Sequence, residues 1–160
     1  MSLKEEFIKV GYTENDYNEI RNSHSLINMK DETFSIHLKD IFAFFLKNGY
    51  SKEEVIKMTK SMPTIYGYSI ENMKQKIAFY DSIGMHALAV IDAKKLMQSV
   101  NLSYARYSFY MDKGINIDID NYRKLFICQN NFEKSYGITK EELLKKYDYN
   151  KFKEEKEKSL

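Results

Sequence analysis

Five glycines, Gly11, Gly49, Gly84, Gly114 and Gly137, punctuate the chain at intervals of 38, 35, 30 and 23 residues. Each follows a phenylalanine by four or five positions: Phe7, Phe45, Phe79, Phe109 and Phe132. Glycine suits the left-handed residue that closes a helix, and an aromatic one turn earlier suits a core anchor, so the pattern reads as recurring helix ends. Periods of roughly 30 to 40 residues with one helical hairpin each describe a solenoid, in which a unit buries its apolar face only against its neighbours. The competing arrangement is an ordinary helical bundle with glycine-capped helices.

One proline and six glycines leave few turns for a sheet protein, whereas 43% hydrophobic and 14% aromatic residues exclude a disordered chain. The expected fold is all-α: a superhelical solenoid, of either hand, with about four helical-hairpin repeats joined by short 3-10 turns. A single domain is expected over residues 1–149, followed by a charged, solvated tail over 150–160 that frays.

The unit grammar is clearest between Phe45 and Met85. Ser51 with Glu54 three residues later forms a capping-box helix start, Val55, Ile56 and Met58 supply an apolar face, and Pro63 opens a connector suited to a 3-10 turn. Ile70, Met73, Ile77 and Tyr80 or Phe79 form the stripe of the second helix, which Gly84 ends. In the first unit Thr13 caps one helix and Asp31 a second, with Ser25 in the proline's place. The third unit has lost its capping box, with a polar connector at 98–101 and Gln98 at the proline's offset. The fourth runs from Ile115 to Gly137, and Thr139 with Glu142 offers another capping-box start.

These residues resemble the repeat of the mitochondrial transcription termination factor (mTERF) family. The likeness is carried by GYSKEEVIKM, SMPTIYGYS and ENMKQKIAFYDSIG in that order, and by FEKSYGITKEELLKKY over 132–147, which is similar to the family's terminal half-repeat. The resemblance implies repeats of two α-helices and a short 3-10 turn at the proline, stacked into a curved superhelix. In characterised members such a superhelix binds double-stranded nucleic acid along its basic concave side.

Regular positive charge is what a phosphate-tracking surface needs. Basic residues fall eight to eleven positions after each glycine: Arg21, then Lys57 and Lys60, then Lys94 and Lys95, then Arg123 and Lys124. These seven are the candidate nucleic-acid-binding residues, expected at the ends of the first helices along one edge. Compensation of the helix dipole at the C-terminal turn is the competing explanation, accounting for each singly but less well for two arginines and three pairs. A second set, Lys39, Lys74, Lys76 and Arg106, reads as solvated faces of the second helices. Formal charge is only +2, so distribution rather than net charge must make the case.

Catalysis finds no pattern. His24, His37 and His86 lack a recurring carboxylate partner, no phosphate-cradling loop occurs, and the Glu53-Glu54 and Glu141-Glu142 pairs sit where capping explains them. Cys128 is alone, which excludes an internal disulfide and reads as a small core residue. No cofactor or metal is expected. Tyr104, Tyr107 and Tyr110, three apart, read as helix packing, as do the eight methionines. No stretch spans a membrane and no signal or transit segment stands at the start, so the expected location is cytoplasmic. The expected function is non-catalytic binding of double-stranded DNA with a role in transcription regulation. The alternative is a protein-interaction scaffold using an aromatic-rich concave surface, and an enzyme with a site in that groove is a third.

Overall fold

A computed structural model describes residues 1–158, and every regular element among them is a helix. The order is α1 (Leu3–Val10), α2 (Glu14–Arg21), α3 (Asp31–Lys47), α4 (Lys52–Ser61), α5 (Ile70–Ser82), α6 (Leu88–Ile91), α7 (Val100–Asp112), α8 (Gln129–Tyr136), α9 (Lys140–Lys146) and α10 (Tyr149–Lys158). Three 3-10 turns, Pro63–Gly67, Ala93–Met97 and Tyr122–Phe126, follow α4, precede α7 and precede α8. No described helix is long and apolar enough to cross a membrane.

The punctuation is physical. All five glycines have positive φ, from 67° at Gly137 to 124° at Gly11, and no other residue does among those described. All five phenylalanines are at most 5% exposed. The chain therefore reverses at a residue without a Cβ, one turn after inserting an aromatic into the core. Ser51 and Glu54 form the expected capping box, and Thr13 forms a second with Asp16. At Thr139 the cap is only half of one: its hydroxyl accepts from the Glu142 N–H and donates to the Glu142 carboxylate. Asp31 is not a cap. Lys30 holds that position without a side-chain bond, and Asp31 is the first helical residue, its carboxylate free to meet Arg21.

Two compact units result, Met1–Ile77 with Ala87–Met97 and Ala78–His86 with Gln98–Leu160. In the first, α1 packs on α2 and α3, α3 on α4 and the Pro63–Gly67 turn, and α4 on α6. Its centre holds Phe7, Phe34, Phe45, Val55, Met58 and Tyr66, none of them exposed. There the Tyr12 hydroxyl bonds both Thr59, at 2.5 Å, and Tyr66. Thr59 Oγ1 donates to the Val55 carbonyl at 2.9 Å, so it accepts from Tyr12, and Tyr12 in turn accepts from Tyr66. Tyr66 also ties outward, its carbonyl meeting His37 Nδ1 at 2.5 Å, so the 3-10 turn is pinned to α3 and α4 together.

In the second unit α7 is the hub, contacted by α9, α10 and the Tyr122–Phe126 turn. Phe109, Tyr110, Phe132 and Tyr136 form an edge-to-face cluster with centroids 4.9–6.1 Å apart. The expected tail is helical over Tyr149–Lys158: Phe152 stacks on Tyr104 at 4.9 Å, and Tyr149 meets the same ring at 5.5 Å. Ser159 and Leu160 of that tail lie outside the described residues.

The connectors differ from expectation in register. Met62 and Asp92 enter their 3-10 turns through nearly the same backbone angles, φ −140°, ψ 74° and φ −147°, ψ 75°. Ala93, not Gln98, therefore stands where Pro63 does, and most of the expected polar connector belongs to the start of α7. In the first unit the Leu26 N–H to Ser23 carbonyl bond matches the Ile65 to Met62 bond, which puts His24 rather than Ser25 in the proline's place. The first helices shorten along the chain, from 10 residues in α4 to 4 in α6, and before the Tyr122–Phe126 turn there is none.

Candidate nucleic-acid interface

That shortening separates the seven candidate bases into two structural classes. Arg21 closes α2, and Lys57 and Lys60 lie in the last two turns of α4. Lys94 and Lys95 instead occupy the second and third positions of the Ala93–Met97 turn, and Arg123 and Lys124 the same positions of the Tyr122–Phe126 turn. A constant offset from glycine is thus not a constant place in the unit: the later four are at 3-10 turns, not at helix ends.

Their freedom differs as well. Arg21 is engaged by its own connector. Its guanidinium donates to the Leu26 carbonyl at 2.8 Å and to the Met29 carbonyl, pairs with Asp31 at 3.0 Å and lies over the Phe34 ring at 5.3 Å. Only 18% of the side chain is exposed, so Arg21 clamps the first connector rather than facing a phosphate. Lys60 reaches Asp16 at 3.4 Å while remaining half exposed. The Asp16 carboxyl is held below its usual range, first by the Thr13 backbone N–H and to a lesser degree by Lys60. Only the lysine end of the pair is half exposed; Asp16 is buried and keeps its bond from the Thr13 N–H, so Lys60 can leave it for a phosphate.

Lys57, Lys94, Arg123 and Lys124 are exposed, and none is ion-paired among the described residues. Arg123 lies over the Tyr122 ring at 5.8 Å, and Lys95 is half-buried. The turns that carry these bases are fixed from below. Leu96 and Leu125 are fully or nearly fully buried, so residues two and three of each turn point away from the core. The Tyr110 hydroxyl donates to the Lys124 carbonyl at 2.9 Å.

Arg106 supplies the strongest anchor and was expected to be solvated. It is 2% exposed, donating to the carbonyls of Leu125 at 2.9 Å and Ile127 at 2.6 Å and to Gln129 Oε1 at 3.1 Å, over the Phe132 ring at 4.8 Å. Burial pushes its pKa down, though the multiple acceptors suit the cationic form. Lys76, expected on the same solvated face, is 7% exposed and donates to the Tyr68 hydroxyl at 3.0 Å. Lys39 and Lys74 are exposed as expected. Cys128 reverses its expectation too, for it is exposed at the N-cap of α8.

A sequence profile of one family, mTERF, matches residues 5–99, more than half of the chain. The chain belongs to the mTERF family. The mTERF match contains Arg21, Lys57, Lys60, Lys94 and Lys95 and stops just before α7, so Arg123 and Lys124 lie beyond it. No curated protein and no solved structure matches the chain. Membership of mTERF, with an all-helical architecture, supports a nucleic-acid-binding helical-repeat protein. Among the described residues no group of three or more His, Cys, Asp or Glu side chains could hold a metal ion.

Proposed function

We propose that this mTERF protein is a superhelical solenoid of about four helical hairpins that binds double-stranded DNA through its backbone and regulates transcription without catalysis. The observation that carries the reading is the pair of basic 3-10 turns. Lys94 and Lys95 recur structurally as Arg123 and Lys124, held outward by a buried leucine, with three of the four exposed and without a carboxylate partner among the described residues. Lys57 and Lys60 extend the set. Arg21 is withdrawn from it, because its donors are already occupied.

Six cations each neutralising one phosphate give a slope of log K against log salt of about −5. Replacing Lys94 and Lys95 by alanine reduces that slope by about 2 units, whereas Arg21→Ala leaves it unchanged and lowers stability instead. An electrophoretic shift with random duplex at several salt concentrations measures both. Flat salt dependence, or an unaltered slope in the Lys94→Ala, Lys95→Ala variant, overturns the reading.

The alternative scaffold needs an aromatic-rich docking face. Much of that aromatic surface is engaged in packing: Tyr110 is fully buried, and Tyr104 lies against Phe79, Tyr149 and Phe152.

A further inference from the structure

Within the first unit a groove of about 700 Å³ runs between α1 and α3, and none of its lining residues belongs to the basic set. Its floor is Val10 from α1 with Leu38 and Phe42 from α3, and its lip is Ala43 and Leu46. Leu46 is 48% exposed on a helix whose next apolar residue back, Phe45, is fully buried. The groove is therefore unfilled apolar surface whose burial is favourable at about 25 cal/mol per Å².

Charge surrounds it asymmetrically. Lys9 and Lys52 stand at the rim, exposed and without a partner among the described residues. Lys39, 71% exposed, reaches Glu6 at 3.8 Å. Glu6 faces the groove as its one carboxylate. Its Oε1 accepts from the Ser35 hydroxyl at 3.0 Å, and its Oε2 is buried with no donor among the described residues. An apolar floor and a rim of three lysines define the chemistry of what fits.

We propose that this groove receives an acidic amphipathic helix from a partner protein. Residues 38–46 of α3 rise two turns, about 13 Å, which matches apolar anchors spaced i, i+3 or i+4 and i+7 on an incoming helix. Ala43 permits close approach of the partner backbone. Glutamates on the polar face of the incoming helix meet Lys9, Lys39 and Lys52 at the rim. A duplex has no apolar ridge to fill such a floor, and a flat bilayer surface does not enter a concave groove between two helices.

The probe is a fluorescein-labelled synthetic helix with leucines at i, i+3, i+4 and i+7 and glutamates elsewhere, titrated with the full chain by fluorescence polarisation. Saturable binding is expected, weakened about tenfold or more by Lys9→Glu with Lys52→Glu and again by Ala43→Glu. Both variants change exposed positions, and an unaltered thermal unfolding curve verifies that they fold. Duplex binding remains at the wild-type level in Ala43→Glu, which separates this site from the basic turns. Equal binding of a composition-matched scramble, or of a helix with lysine in place of glutamate, overturns the proposal. So does binding of phosphatidylserine vesicles without binding of the peptide.

Discussion

Arg106→Ala is the substitution whose effect is most fully specified by the structure. It deletes three donated bonds, to Leu125 O, Ile127 O and Gln129 Oε1, and a cation over the Phe132 ring. Hydrogen bonds to a charged group contribute about 1.5–3 kcal/mol each, and stranding buried carbonyls costs about 1–3 kcal/mol apiece. Against this stands relief from burying a guanidinium, whose Nε has no acceptor among the described residues and whose pKa is pushed down by desolvation. The net loss is about 3 kcal/mol, or roughly 6–12 °C in Tm for a chain of this size. Arg106→Lys, which keeps the charge but not the fork, loses about half as much. A functional consequence follows from position. The carbonyls that Arg106 holds end the turn bearing Arg123 and Lys124, so Arg106→Ala weakens duplex binding about as much as removing both of those exposed bases. Urea and thermal unfolding followed by circular dichroism, with the electrophoretic shift on the same preparations, measure both effects. If Arg106→Ala stays within about 0.5 kcal/mol of wild type, as Lys74→Ala should at an exposed position, the buried clamp is wrong and the solvated reading of this residue stands.

Tyr12 gives a pH prediction. Burial pushes its phenol from 10.0 up to about 12, and Tyr66 moves in the same direction for the same reason. The unfolded chain therefore ionises first, so the contribution of Tyr12 is intact below about pH 10 and is lost by about pH 12, up to about 3 kcal/mol. The urea midpoint should fall more steeply through that window in wild type than in Tyr12→Phe, and parallel curves would refute it. Among the glycines, Gly84→Ala meets no heavy atom within 4 Å and costs only the left-handed backbone conformation, about 1–2 kcal/mol. Gly11→Ala costs more, because φ is +124° and its Cβ would lie 3.0 Å from Ile56 Cδ1; equal midpoints for the two variants would contradict this.

What the sequence disclosed about the fold is what local chemistry controls. A glycine at positive φ, a Ser or Thr cap answered three residues on, and a proline opening a 3-10 turn all act within a few residues, so they can be read without knowing the neighbours. The phenylalanines were legible for the same reason, being tied to the glycines by one helical turn. The illegible parts depend on partners far along the chain. Tyr12, Thr59 and Tyr66 form one hydroxyl chain across more than fifty positions, and no spacing announces it. The charged run after Asn150 is solvent-facing along most of its length, and what no spacing announces is that its one aromatic, Phe152, stacks on Tyr104 of α7.

The same distinction explains the candidate interface. Counting from glycine picked out basic residues at a shared offset and assigned them a common place, and that step assumed first helices of constant length. The helices shorten from ten residues to four to none, so the offset that ends α4 falls inside the 3-10 turns of the later units. Nor can an offset distinguish an arginine that contacts solvent from one that holds carbonyls. Arg21 and Arg106 are both spent on connectors, each donating to two backbone carbonyls while lying over a phenylalanine. Guanidinium suits that task because its planar fork satisfies divergent acceptors that a lysine cannot reach together. The division of labour in this chain is therefore by residue type and by distance from a connector: arginines bonded to connector carbonyls shape the turns, and the exposed bases on those turns and on α4 are left to carry charge outward.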